Sequence, residues 1–292
     1  MSHLKQMSAG LLALTLLSCT DRPDSILSAH GDNRHIDVSD EMGPVLRYQI
    51  LPLDRSEVWR ANYLHPVFAP GGAMITENAP ADHIHHRGIF WSWRELFVGD
   101  ERVGDAWVGE HISYKPVFQS YGQQVDGSVK IETGTLWQSD KGGELTAFIR
   151  EDTTLTLWPD AENGRRLHIR VALTALVPDV RIAGSDNEKG YGGLSFRFGR
   201  ADRMQISSGG DLLTATPEPV MTGDEVSFIF PDAPVGWPQA IDIACRVNGT
   251  AWQSWILRQE LSMQNCAWPG RTPANIATDR ATILEADILI RP

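Results

Sequence analysis

Along much of the chain, apolar and polar residues alternate with a period of two. Leu167, Ile169, Val171 and Leu173 share one side of an extended backbone, with His168, Arg170 and Thr174 on the other. This is the pattern of a strand with one buried face. Thr153–Trp158 alternates in the same way, and Asp160-Ala-Glu-Asn163-Gly164 between the two carries the Asn-Gly signal of a hairpin. Val129–Gln138 and Glu144–Glu151 flank Ser139-Asp-Lys-Gly142-Gly143 as a second hairpin. Further strands are predicted at Val45–Ile50, Gly88–Trp93, Ile112–Gln119, Leu194–Phe198, Val226–Phe230, Ala240–Val247, Trp252–Leu257 and Ala281–Ile290. No 15-residue stretch keeps a helical period, and no internal repeat interrupts the series. The pattern predicts an all-β fold, a large antiparallel β-sandwich forming one domain over residues 41–292. A barrel and two stacked smaller sandwiches are the alternatives.

The first residues read differently. Lys5 precedes the apolar run Met7–Ser18, which is too short to span a bilayer and suits the core of a signal peptide over residues 1–18. Leu16-Leu17-Ser18-Cys19 has the form of a bacterial lipobox, with Cys19 as the lipidated first residue of the mature chain. Residues 19–40 are polar with Pro23 and Gly31, and read as a flexible tether. The expected location is the bacterial cell envelope, lipid-anchored, at an outer membrane facing periplasm or surface. The formal net charge of −11 and the lack of a long basic run argue against nucleic acid as a partner. Cys245 and Cys266 remain, 21 residues apart; an oxidising compartment permits a disulfide between them, but sequence does not decide it.

Candidate chemistry concentrates between residues 62 and 111, which hold His65, His83, His85, His86 and His111, five of the nine histidines. On an extended backbone His83 and His85 point one way and His86 the other. His83-x-His85 is a spacing that can hold a divalent metal, with His65, Glu77 or His111 as third ligand, but a Glu shortly after the pair is missing. A second reading is acid–base catalysis on a sugar: His85 or His86 moves a proton, with His65 and Glu77 or Asp82 as partners. Arg87 would clamp a carboxylate or carbonyl oxygen, and Trp91 and Trp93, on one strand face, would stack on the sugar. A third reading makes the cluster a buried, hydrogen-bonded network.

His65-Pro66, Ala69-Pro70-Gly71 and His83-Ile-His85-His86-Arg87-Gly88-Ile-Phe-Trp91-Ser-Trp93 resemble a bacterial family of unknown function that carries the label PmoA. Lys189-Gly190-Tyr191-Gly192-Gly193-Leu-Ser-Phe196-Arg197-Phe198 resembles a second block of that family, and Asn265-Cys-Ala-Trp268-Pro269-Gly270-Arg271 with Thr278-Asp279-Arg280 a third. The resemblance runs from about residue 45 to the end. It implies a β-sandwich similar to the galactose-mutarotase type, and a carbohydrate ligand. The label also suggests a methane oxygenase subunit. No apolar span of about 20 residues follows the signal segment, so that activity is excluded.

The Gly190–Gly193 block lacks the Lys-Ser/Thr of a phosphate loop, and reads as a bend before a strand, with Lys189, Tyr191 and Arg197 beside a pocket. No Gly-x-Ser-x-Gly is present, and the adjacent Glu151 and Asp152 point to opposite faces, so neither a serine hydrolase nor a two-carboxylate glycosidase emerges from them. The expectation is an envelope lipoprotein acting on a saccharide or glycoside by hydrolysis, elimination or epimerisation. Its catalytic candidates are His65, Glu77, His85 and His86. Its binding candidates are Arg87, Trp91, Trp93, His111, Lys189 and Tyr191. A non-catalytic sugar-binding lipoprotein and a structural lipoprotein are the rivals.

Overall fold

The computed structural model describes residues 26–54, 56–199, 203–259 and 263–292. The signal peptide, Cys19 and the first part of the tether lie outside these residues.

Two large antiparallel sheets face each other. The first runs Ser28–Gly31, His35–Asp40, Gly43–Gln49, Tyr63–Val67, Ile89–Ser92, Gly193–Arg197, Met263–Ala267, Ser254–Ile256, Val220–Met221. The second centres on long neighbours: Ala240–Val247, Thr282–Arg291, Arg165–Ala175, Thr146–Leu157, Val129–Ser139 and Ile112–Gln123. A four-stranded sheet (Ala274–Ile276, Val180–Ala183, Glu95–Val98, Glu101–Gly104) completes the fold. The architecture is an all-β sandwich, as the alternating pattern predicts.

Period-two alternation decides what each sheet buries. In the second sheet Leu155, Ile169, Ala286 and Cys245 occupy one lateral row, all buried. In the first sheet Trp91, Leu194, Cys266 and Trp255 form the matching inward row. The opposite face of the first sheet carries Tyr63, Phe90, Ser195, Asn265 and Ile256 in register, and this outer face is the floor of the site.

Several expectations change. Residues 28–40, assigned to the tether, form two strands that extend the first sheet, with Leu27, Ile36 and Val38 buried. Their short period-two pattern was masked by surrounding polar residues. Glu144–Glu151 and Thr153–Trp158 are one strand, Thr146–Leu157. Cys245 and Cys266 come from opposite sheets into the same core and remain free thiols. Burial, then the neighbouring Cys245 thiol, raises the Cys266 thiol.

Candidate histidine site on the outer sheet face

Three loops wall the outer face of the first sheet. Residues 78–88 provide the histidines. His83 N–H donates to the Pro80 carbonyl (3.0 Å) and His86 N–H to the His83 carbonyl (3.0 Å), so the chain makes two successive turns rather than a strand. Ala79, at φ 50°, starts the loop, and its N–H closes it on the His86 carbonyl (2.9 Å). The buried Arg60 guanidinium ties the Ile84 carbonyl and the Asn78 side chain together from behind. Turning replaces alternation, and the three rings gather on one side. His83 and His86 stack at 4.7 Å with 7° between planes, and His85 stands edge-on to both, at 5.7 and 4.8 Å.

The second loop places an indole beside them. Asp105 Oδ1 accepts the N–H groups of Trp107 (2.8 Å) and Val108 (3.2 Å), and its other oxygen takes the Arg94 guanidinium. This turn sets Trp107 within 6.3 Å of His85 and 6.2 Å of His86. Gly109 has φ 80°, and a Cβ there would lie 2.0 Å from the Trp59 ring, so the loop requires glycine at this point.

The third loop, residues 184–192, presents Lys189 and Tyr191. Asn187 Oδ1 accepts the Lys189 N–H (3.0 Å), and Ser185 Oγ accepts the Tyr191 N–H (3.2 Å). Tyr191 packs on Trp107 at 4.9 Å, and its hydroxyl accepts from Arg94. Asn265 in the floor donates to the Leu194 carbonyl (3.0 Å) and accepts from Gly192 N–H (3.0 Å). Its amide holds the 192–195 bend. A cavity of about 240 Å³ results, lined by His83, His85, His86, Trp107, Tyr191, Lys189, Arg258, Asn265, Met263 and Ile256.

The three imidazoles differ in partners. His83 Nδ1 lies 2.9 Å from Asp82 Oδ2. Asp82 in turn accepts from Arg197 at 3.2 Å, and Arg197 binds Glu77 at 2.8 Å. The bond to His83, then the Arg197 charge, holds the Asp82 carboxyl below its usual range despite slight desolvation. His85 is pushed down to about 4 and His86 to about 2, each first by burial and then by neighbouring charges. Both are neutral at pH 7. Nδ1 of His86 and Nε1 of Trp107 are buried without a partner.

A family model described as a family of unknown function, DUF6807, matches residues 35–290. The chain belongs to that family. Every residue of the cavity lies inside the matched span, as do two of the three strands preceding residue 50, His35–Asp40 and Gly43–Gln49. No curated protein matches the chain.

Within this DUF6807 domain the sequence candidates scatter more than expected. His85, His86, Lys189 and Tyr191 line the cavity, with His83. Glu77 does not: it is bonded to Arg197 and reaches His83 only through Asp82. His65 sits across Gly88, its Nδ1 3.0 Å from Thr76 Oγ1, and burial pushes it down to about 4. Trp91 and Trp93 do share a strand face, but it is the core face. Trp91 stacks on Tyr48 at 6.5 Å and Trp93 donates to the Trp268 carbonyl at 2.7 Å, both fully buried. Neither can meet a ligand.

Arg87 is also buried. Its guanidinium lies 5.2 Å from the Trp59 ring and 4.7 Å from Phe90, and its Nε has no hydrogen-bond partner. Burial lowers it to about 10. It braces the loop by cation–π contact rather than clamping substrate. His111 pairs with Asp140 at 2.7 Å, away from the cavity. For a metal, the expected pair His83 and His85 stands with its rings 5.7 Å apart and 81° between their planes. Among the described residues no group of three His, Cys, Asp or Glu is placed to hold a metal.

Sequence reasoning missed Trp107 as a wall, and also Ile256, Arg258 and Met263. Trp107 had a usable signal, the Asp105-x-Trp107 spacing of an Asx turn. Ile256 and Met263 come from strands, and Arg258 from the segment after Ser254–Ile256, all over 140 residues from Trp107, and they carry no local mark.

Proposed function

We propose that this protein is an envelope lipoprotein that acts on a saccharide by histidine acid–base chemistry. The observation that carries the reading is the bond between Asp82 and His83, a histidine that lines an aromatic-walled cavity. A carboxylate on Nδ1 fixes the ring and its tautomer, leaving Nε2 to take or give the proton. The role expected of His85 or His86 thus passes to His83. Suppressed protonation makes those two neutral hydrogen-bonding walls instead. Trp107 and Tyr191 offer flat apolar surface next to polar groups, which matches the two faces of a sugar ring.

No Asp or Glu lines the cavity among the described residues. Two-carboxylate hydrolysis needs a pair of acids about 5–10 Å apart around the bond. The site supports instead proton abstraction from a sugar carbon, leading to elimination or epimerisation. The sequence resemblance to the PmoA-labelled family, which implies a galactose-mutarotase-like sandwich and a carbohydrate ligand, and the lipobox form of Leu16–Cys19 support the saccharide and envelope parts of the reading.

The test is turnover of mixed glycosides, uronides and oxidised sugars by the purified protein, beside His83→Ala and Asp82→Asn. The reading predicts product with wild type and its loss in His83→Ala. Binding of a sugar with no turnover would instead leave a sugar-binding lipoprotein.

A further inference from the structure

A second cavity, about 350 Å³, adjoins the histidine cavity and is lined by Ala215, Thr216, Pro217, Leu257 and Gln259, with Lys189 and Arg258 shared between the two. Those shared residues are cations in a chain with 37 acidic residues and a net charge of −11. Among the described residues no Asp or Glu lines either cavity.

The two cations are held in different ways. Arg258 is spent on the backbone: its guanidinium donates to the carbonyls of Thr216, Leu257 (2.9 Å) and Pro217 (2.9 Å). It pins the 215–217 wall to the sheet while keeping its charge in the cleft. Burial lowers its pKa and Glu188 nearby opposes that. Lys189 is half-buried at the junction, fixed through its backbone by Asn187, and its ammonium makes no ion pair with any described carboxylate. A cation shared by two cavities that no Asp or Glu lines among the described residues is matched by an anion lying across them.

We propose that the joined cavities bind a uronate-containing saccharide of at least two units, with a carboxylate against Lys189 and one unit in each cavity, and that the reaction is β-elimination. This rests on the saccharide reading above and names its substrate class. In the step, His83 Nε2 takes the proton on the carbon next to the carboxylate. That electron pair forms the C4=C5 double bond as the bond from C4 to the glycosidic oxygen breaks, the leaving oxygen takes up a proton from water, and His83 returns its proton to the solvent. Lys189 neutralises the carboxylate, which lowers the cost of the carbanion-like charge. No oxidant or metal enters the balance.

The experiment uses the full-length protein and three oligosaccharide pools of matched length: oligouronides, neutral oligosaccharides, and sulfated neutral oligosaccharides. Binding is followed by calorimetry, and product by the ultraviolet absorbance of an unsaturated uronate. Oligouronides should bind and yield the unsaturated product. Lys189→Gln should weaken oligouronide affinity roughly tenfold, and raised salt should weaken wild-type binding. His83→Ala should keep that affinity and lose the product. Preference for neutral or sulfated oligosaccharides, or unchanged affinity in Lys189→Gln, overturns the uronate assignment and leaves the saccharide reading standing. Failure of all three pools to bind overturns both.

Discussion

Asp82→Asn removes the carboxylate that accepts from His83 Nδ1 and leaves the backbone turns of the loop in place. Turnover should fall by roughly 10²–10⁴-fold with the melting temperature little changed, since the loss is one of orientation and charge rather than packing. Nitrogen-15 NMR of the imidazoles should show His83 as the Nδ1–H tautomer in wild type and a mixture in the variant. Glu77→Gln should do less, because Glu77 acts through Arg197. The tryptophans separate in the opposite way. Trp91→Ala or Trp93→Ala empties a sealed core site and should cost about 3–5 kcal/mol of stability by denaturant titration. Trp107→Ala should instead weaken ligand binding more than it lowers stability. The core assignment of Trp91 and Trp93 was legible. Ile89, Trp91 and Trp93 make a wholly apolar row, whereas Phe90, Ser92 and Arg94 are mixed, and a wholly apolar row belongs inside.

At the level of elements, the long strands followed from alternation, and Ala240–Val247 has the predicted limits, whereas the short strands Tyr63–Val67, Glu95–Val98, Glu101–Gly104, Val180–Ala183 and Met263–Ala267 did not. The histidine loop did not follow, because its shape depends on contacts that alternation does not encode. Ala79 adopts a left-handed conformation and Arg60 reaches across from 24 residues away to the Ile84 carbonyl. Three rings read as alternating thus converge. Gly88 ends this loop at φ 57°, and a Cβ there would lie 2.0 Å from the Leu64 carbonyl oxygen in the adjoining strand. Gly88→Ala should therefore destabilise the protein by about 2 kcal/mol or more and shift the His83–His86 stack, as read by thermal melting and imidazole NMR.

For the molecule as a whole, His65 and His85 fall to about 4 and His86 to about 2 on folding, from an ordinary 6.5. As pH drops below about 6.5 the unfolded chain takes up protons that the folded chain refuses, so stability is full above that pH and declines toward 4. The melting temperature should fall by roughly 10 °C between pH 7 and pH 5, and His65→Asn, away from the cavity, should flatten the slope. A flat profile in wild type would contradict the burial of these rings. The long-range parts of the site were the least legible: Ile256, Arg258 and Met263 reach the cavity through the pairing of Gly193–Arg197 with Met263–Ala267, a contact across some 70 residues. Proton transfer by His83 on a bound saccharide is the central claim. The deciding measurement is turnover of the oligosaccharide pools by wild type and His83→Ala at equal ligand occupancy. Product from wild type and a loss of at least about 10²-fold in the variant is the predicted result; equal turnover by both proteins would contradict it.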